Sequence, residues 1–251
     1  GFNILNFKSP DTKRLASFTA DEMKVGGYYF GFFLLSLSFI YKKNNKFLFY
    51  VLFLIFLIMA FLIGERSNFI KIFIISYLFM IFIINTKFLN KILILLLPIL
   101  ILVFLISTNQ NIKDKYYTEF INPIIKKDID SQNITLKYFR HYNSALEIFY
   151  DNKIFGVGIK NYRNESGLRF HNKQTIHHFS NHPHQVHFEI LSELGIIGYI
   201  IFFIFFIYML REGLKIYKKT KNLETLSSIL FIFATFLPLI PSGSFFTTYG
   251  A

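Results

Sequence analysis

Histidines are concentrated in one short stretch of this chain. Six of the seven lie between His171 and His187, in the sequence HNKQTIHHFSNHPHQVH. Such a density can indicate a metal site, but the chain has neither a cysteine nor the HExxH spacing of a metal-binding helix. We therefore predict no metal, and note that a loop outside a membrane can simply tolerate histidine.

The end of this stretch has the pattern of a helix start. Asn181 can cap a helix and Pro183 suits its first position, which places His184 in the first turn. A helix dipole there disfavours imidazolium, so His184 would be available as a neutral base, with His187 on the same face. The alternative is that these histidines only mark a water interface.

Three arginines are candidates for binding an anion. Arg66 lies in the short turn GERSN between two apolar runs, where its guanidinium could grip a phosphate. Pairing with Glu65 or with a lipid headgroup is the alternative. Arg140, on a predicted amphipathic helix, and Arg14, in the N-terminal segment, are the other two.

The composition indicates that the bilayer is the solvent. Fifty-three per cent of the 251 residues are hydrophobic and the mean hydropathy is +0.43, too apolar for a soluble domain. The net charge of +12 would suggest nucleic acid in a soluble protein, but here basic residues cluster between apolar runs and indicate topology. We predict no nucleic-acid partner.

Six apolar stretches are long enough to predict membrane spans of about 20 residues. They are residues 25–41, 47–63, 69–85, 88–107, 188–210 and 223–240. The connectors at 41–46, 85–91 and 211–222 are rich in Lys and Arg and are predicted to be cytoplasmic. The opposite side then receives the N-terminal segment, the Arg66 turn and the long segment 108–187.

The predicted fold is an all-α, polytopic membrane protein with a helical extramembrane cap. We divide it into residues 1–107 (an outer segment and four spans), 108–187 (the cap) and 188–251 (two spans). The cap is too long for a structureless loop, and its residues 134–152 read as an amphipathic helix before a turn at 156–158. The chain begins at Gly1, so we expect an N-terminal part of the protein to be missing.

Several motifs resemble the O-antigen ligase and polymerase superfamily. HQVHFEILSELGIIG, residues 184–198, matches a pattern of His, then Asn/Ser/Gln, nine residues, Gly, two residues and Gly/Thr/Tyr. RLASFTADEMKVGGYY, GERSNF and RHYNSALEIFYDNKIFGVGIKNY resemble other segments of the same family. The family turn usually reads Ser-Arg-Gly, from which the Arg66 turn departs.

The resemblance implies a glycan transferase that takes a glycan from undecaprenyl diphosphate on the periplasmic face of the inner membrane. The acceptor hydroxyl would belong to lipid A core, a growing glycan or a protein, and neither nucleotide nor metal nor other cofactor is expected. His184 would be the base, and the arginines would stabilise the leaving diphosphate. Possible supporting residues are His187, Gln185, His182 and Glu22.

Two other classes of function remain open at this stage. A transporter or flippase could use basic outer residues to guide an anionic glycolipid, although such proteins usually carry paired broken helices near mid-membrane. A sensor or scaffold could bind glycan or protein with its cap, and would keep its function without His184.

Overall fold

The long apolar runs form helices in the structure, a computed structural model that describes residues 25–43, 45–83, 88–122, 125, 134–171 and 178–246. The described residues contain no strand, and the predicted all-α fold is confirmed. The helices are α1 (Val25–Lys42), α2 (Lys46–Ile63), α3 (Arg66–Ile83), α4 (Phe88–Thr108), α5 (Gln110–Lys113), α6 (Ile134–Asp151), α7 (Tyr162–Phe170), α8 (Val186–Thr220) and α9 (Leu223–Thr235), with a π-helical segment at Asp114–Ile121.

Helices lie at all six positions where the sequence predicts spans. Among the described residues, α2, α3 and α8 are long and apolar enough to cross a membrane. Leu96–Thr108 and Gln110–Ile121, bent by 108° at their junction, would make a fourth span if they cross together. The protein is thus a multi-pass membrane protein, and the count of six spans stays a prediction.

The last helix is shorter than the sequence indicated. α9 has 13 residues and ends at Thr235, whereas the apolar stretch continues to residue 240. Pro238 and Pro241 follow closely, and proline disfavours helical backbone in the residue before it and cannot donate a backbone hydrogen bond. Residues 236–246 therefore leave the helix and form a C-terminal tail.

The chain folds into two compact units, each described here by itself. The first unit comprises Gly1–Tyr117 and Glu212–Thr235, and the second comprises Thr118–Arg211 and Phe236–Ala251. The predicted division at residues 107 and 187 separates segments by the side of the membrane on which they lie. That division stays a prediction.

The first unit is built by α1 packing against α2, α3 and α9. Its core is apolar and aromatic, with Leu37, Ile75 and Phe79 fully buried. A polar contact joins two helices within this core, since the hydroxyls of Ser38 and Ser227 lie 2.5 Å apart. Small hydroxyl side chains of this kind allow close helix approach in a bilayer.

The second unit is built around α6 and α7. Ala145 and Ile148 of α6 pack with Tyr162 and Phe170 of α7 in a buried cluster. The amphipathic helix predicted at residues 134–152 is present as α6, Ile134–Asp151. Val157 and Phe188 pack against the same cluster.

A sharp break interrupts α8 within the second unit. Gly195 has φ 65° and ψ −167°, which interrupts the helical backbone. A Cβ on Gly195 would lie 2.3 Å from the Ile154 carbonyl oxygen, and one on Gly156 would lie 2.4 Å from the Glu193 carbonyl carbon. The two backbones cross so closely that both positions require glycine.

Candidate functional site

Four imidazoles gather in the second unit. The ring centroids of His182 and His184 are 4.1 Å apart, those of His141 and His184 are 5.0 Å apart, and those of His141 and His178 are 5.1 Å apart. They line a cavity of about 270 Å³, which we call the histidine cavity. Its lining is His141, His178, Phe179, Ser180, Asn181, His182 and His184.

His141 is the member of this cluster that the sequence did not single out. It lies on α6, one residue after Arg140, and only 2% of it is exposed. It stands well outside the histidine-rich stretch, so spacing along the chain gave no reason to connect it with His184. The placement of α6 beside residues 178–184 makes the connection, partly through Ser144, whose hydroxyl accepts from the His178 backbone N–H at 2.9 Å.

His184 has a left-handed backbone, with φ 58°. The predicted helix start at Asn181 and Pro183 is wrong, because α8 begins at Val186 and His184 precedes it. Histidine and asparagine tolerate this conformation better than most residues, although it costs roughly 1–3 kcal/mol. Surrounding contacts must therefore hold His184 in place.

The C-terminal tail supplies those contacts. The Ser242 backbone N–H donates to the His184 carbonyl at 2.8 Å, and the Ser242 hydroxyl accepts from the Val186 N–H at 3.1 Å. Glu189, which is 1% exposed, accepts from the Phe245 N–H at 2.7 Å and from the Ser244 hydroxyl. The tail thereby fixes the backbone on both sides of the helix start.

Gln185 stabilises the start of α8. Its side-chain oxygen accepts from the backbone N–H of His187 at 2.7 Å and of Phe188 at 3.1 Å, which satisfies two otherwise unpaired helix donors. Its amide nitrogen donates to the Leu237 carbonyl at 3.3 Å. With 1% of its surface exposed, Gln185 is buried beside His184, and its supporting role stays a prediction.

His187 does not share the histidine cavity with His184, contrary to the prediction that the two lie on one face. Its Nε2 lies 2.8 Å from the Phe236 carbonyl, to which it must donate, and its Nδ1 lies 3.2 Å from the Tyr199 hydroxyl. The Nε2–H therefore binds a backbone carbonyl, and Nδ1 faces a hydroxyl that can donate or accept. His187 is a structural contact between α8 and the tail.

Glu193 is a buried carboxylate that the sequence reasoning missed. It is 3% exposed and accepts from the backbone N–H of Lys160 at 2.7 Å and of Tyr162 at 3.3 Å. The signal that could have found it is the pair of acidic residues four apart, Glu189 and Glu193, inside an apolar run. Both carboxylates accept hydrogen bonds from backbone N–H groups. Glu193 thereby connects residues 160–162 to α8, and Glu189 connects the tail to α8.

The glycine spacing seen in the sequence also has a structural reason. Gly195 provides the break in α8, and because of that break Leu194 folds back over the next turn. A Cβ on Gly198 would lie 2.3 Å from the Leu194 Cβ. In the pattern of His184, Gln185, Gly195 and Gly198, the last three residues therefore shape the backbone of α8, and His184 precedes that helix.

Arg66 lies in the first unit, at the start of α3. Its Nη1 donates to the Lys115 carbonyl of the π-helical segment at 3.3 Å. The neighbouring Glu65 is 8% exposed and accepts from the Gly26 N–H at 2.8 Å and from the Asn68 amide at 2.7 Å. The role of Arg66 towards an anion stays a prediction.

Of the other predicted site residues, only Arg140 lies among the described residues. Arg140 belongs to the second unit and is half-buried on α6, where its carbonyl accepts from the Ser144 hydroxyl at 3.0 Å. It is adjacent in sequence to His141 but is not part of the cavity lining. Arg14 and Glu22 lie outside the described residues.

One imidazole of the histidine cavity has a shifted pKa. Burial lowers the pKa of His182, an effect that Glu189 partly opposes. Within the described ranges, no three His, Asp or Glu side chains are arranged to hold a metal ion. Neutral imidazoles beside a cavity can accept a proton from a bound hydroxyl group, which is the chemistry of a general base.

Comparison with known proteins identifies the family of the chain. No curated protein sequence matches the chain. A family model described as O-antigen ligase matches residues 30–203, more than half of the chain, and this region includes the histidine cavity and the break at Gly195. The chain belongs to the O-antigen ligase family of membrane glycan transferases.

Proposed function

We propose that this protein transfers a glycan from undecaprenyl diphosphate to an acceptor hydroxyl on the periplasmic face of the inner membrane. The observation that carries the proposal is His184, held in a left-handed backbone conformation at the wall of the histidine cavity. Strained residues that the surrounding structure holds in place are typical of functional sites. Family membership supplies the class of substrates, a lipid-linked glycan and an acceptor.

His184 acts as the general base in this proposal. The acceptor hydroxyl attacks the anomeric carbon while a ring nitrogen of His184 takes its proton. The bond between the anomeric carbon and the diphosphate oxygen breaks, and its electron pair leaves with undecaprenyl diphosphate. Direct displacement of this kind inverts the anomeric configuration, so a product with retained configuration would contradict it.

The neighbouring imidazoles would keep His184 ready to accept a proton. Each additional positive charge in the cavity would raise the free energy of the others, since like charges a few ångströms apart repel. Burial lowers the pKa of His182, which disfavours such a charge on its ring. His141, 5.0 Å from His184 between ring centroids, packs against the base from α6.

Arginines would compensate the charge that builds on the leaving diphosphate. Arg66, Arg140 and Arg14 are the candidates, in that order, because guanidinium groups present a planar fork to phosphate oxygens. Ligase, polymerase and protein-glycosylating activities would share these steps. They would differ in whether the acceptor is lipid A core, a growing glycan or a protein hydroxyl.

The test compares transfer by the full-length protein and by His184→Asn in membranes that carry undecaprenyl-diphosphate glycan, with each acceptor supplied separately. Asparagine tolerates the left-handed backbone but cannot act as the base. We expect transfer to fall by about 10²-fold or more. The matched control is Lys160→Asn, which places asparagine at another exposed left-handed position, φ 60°, outside the cavity.

Equal transfer by His184→Asn and the wild type would rule out His184 as the base. Loss of transfer in both asparagine variants would indicate misfolding and would also contradict the assignment. Unimpaired glycolipid movement across the membrane, with no glycan transfer by the wild type to any acceptor, would favour a transporter.

A further inference from the structure

A groove lies next to the histidine cavity in the second unit. It has a volume of about 560 Å³ and is formed by α7 and by residues 179–181. Phe179 and Asn181 line both the groove and the cavity, so the two are adjacent. The groove lining is Arg163, Asn164, Gly167, Leu168, Phe179 and Asn181.

The groove combines an aromatic ring with an exposed aliphatic side chain. Phe179 is 37% exposed, and Leu168 is 84% exposed. Gly167 lies beside the ring, since a Cβ there would be in ordinary van der Waals contact with Phe179 Cε2 at 3.5 Å. The C–H groups of a sugar ring carry slight positive charge and pack favourably on the negative face of an aromatic ring.

Hydrogen-bonding groups surround this apolar centre. Arg163 is exposed, and no ion pair of it is found among the described residues, whereas Arg169 on the same helix is bound by Asp151 and Glu165. Asn164 and Asn181 add two exposed amide groups. Guanidinium and amide groups offer donors and acceptors in the planar arrangements that sugar hydroxyls bind.

We propose that this groove is a saccharide subsite, which binds sugar units adjacent to the one that reacts in the histidine cavity. This inference rests on the proposed function and adds to it a binding site for the glycan. Phe179 supplies the packing surface, and Arg163 with the two asparagines supplies hydrogen bonds. The bound sugars belong either to the donor glycan or to the acceptor, which share the same chemistry.

The first experiment measures kcat and the two KM values for transfer by Arg163→Ala and Phe179→Ala. We expect Arg163→Ala to raise one KM by about tenfold with kcat nearly unchanged, because the lost contacts are made equally in the ground and transition states. Phe179→Ala should raise the same KM and also lower kcat, because Phe179 lines the histidine cavity as well. A raised KM for the lipid-linked donor assigns the groove to the donor glycan. A raised KM for the acceptor assigns it to the acceptor.

Two control variants match these changes outside the groove. Lys153→Ala removes one exposed positive charge from the same unit, and Phe155→Ala removes a phenylalanine that is 75% exposed. Both should leave the two KM values unchanged. Unchanged KM values in the groove variants, or equal increases in the control variants, would overturn the proposal.

A binding experiment separates this proposal from the proposed function. The probe is the oligosaccharide repeat unit released by mild acid from the lipid-linked donor, titrated into purified His184→Asn protein. Binding that Arg163→Ala weakens about tenfold supports the groove even if no transfer is ever observed. The groove proposal alone would be wrong if the wild type transfers glycan but substitution of Arg163 or Phe179 does not change oligosaccharide binding.

Discussion

The backbone N–H of Ser242 donates to the carbonyl of His184 at 2.8 Å. These residues are 58 positions apart, and the hydrogen bond joins the tail to the segment that precedes α8. The Ser242 hydroxyl also accepts from Val186. The tail thus belongs to the candidate site, although it contributes no side chain to the lining of the histidine cavity.

Removing the Ser242 hydroxyl should loosen His184. Ser242→Ala leaves the Val186 N–H without its acceptor, at a cost of about 1–3 kcal/mol for a buried donor. We expect kcat for glycan transfer to fall severalfold with little change in either KM. Ser242→Pro also removes the N–H that binds His184 and should be more damaging.

The control for this change is Ser228→Ala. Ser228 is exposed, and its hydroxyl donates only to the Glu224 carbonyl within α9. Transfer by Ser228→Ala should match the wild type. Equal kcat values for Ser242→Ala and the wild type would show that the tail does not position His184.

Gly195→Ala should destabilise the protein strongly. The new Cβ would lie 2.3 Å from the Ile154 carbonyl oxygen, at a φ of 65° that alanine rarely adopts. We expect a loss of roughly 3 kcal/mol or more from strain and displacement together. Thermal unfolding of the detergent-solubilised protein, followed by circular dichroism, measures it.

Gly31→Ala is the matched glycine change. Among the described residues, no atom beyond the chain neighbours and backbone of α1 lies within 4 Å of a Cβ at Gly31. Because Gly31 is in the interior of α1, alanine there should be neutral or slightly stabilising. Equal melting temperatures for the two variants would contradict the close backbone crossing at Gly195.

Glu193→Gln tests whether the buried carboxylate organises the second unit. The carboxylate accepts from two backbone N–H groups, those of Lys160 and Tyr162. Glutamine offers one oxygen and turns an N–H₂ group towards the other donor, so we expect a destabilisation of about 1–3 kcal/mol.

Thermal unfolding of Glu193→Gln should be compared with that of Glu212→Gln. Glu212 forms an exposed pair with Lys215 at 2.6 Å, and exposed pairs contribute little. A melting temperature of Glu193→Gln as high as that of the control would show that these hydrogen bonds are dispensable.

The stability of the second unit should depend on pH through His182. Burial lowers the pKa of His182 from its ordinary value of 6.5, so the unfolded chain binds this proton more readily than the folded protein. Stability therefore rises with pH through the window between the lowered pKa and 6.5, and is lost as the pH falls below 6.5.

Melting temperatures of the wild type and of His182→Gln, measured from about pH 7.5 down to about pH 5, test this dependence. The decrease on acidification should be smaller for the variant, since glutamine does not titrate. Parallel curves for the two proteins would show that His182 does not contribute to the acid sensitivity.

The family was accessible from the sequence, and His184 could be proposed as the base, because both inferences depend on local spacing. His184, Gln185, Gly195 and Gly198 keep their pattern in one stretch of chain, and long apolar runs show directly that the protein lies in a membrane. The helix start was misplaced for an equally local reason. Asn181 and Pro183 form a good start signal, but the buried Gln185 side chain caps α8 instead.

The sequence by itself determined that the protein lies in a bilayer, that its fold is all-α and which segment contains His184. The length of apolar runs and the spacing of a motif are properties of the chain alone. The tertiary structure alone decided that His141 joins the cluster, that His187 leaves it and that the tail holds His184. The physical reason is that these contacts join segments far apart in the chain. Only packing and the satisfaction of buried backbone groups select them.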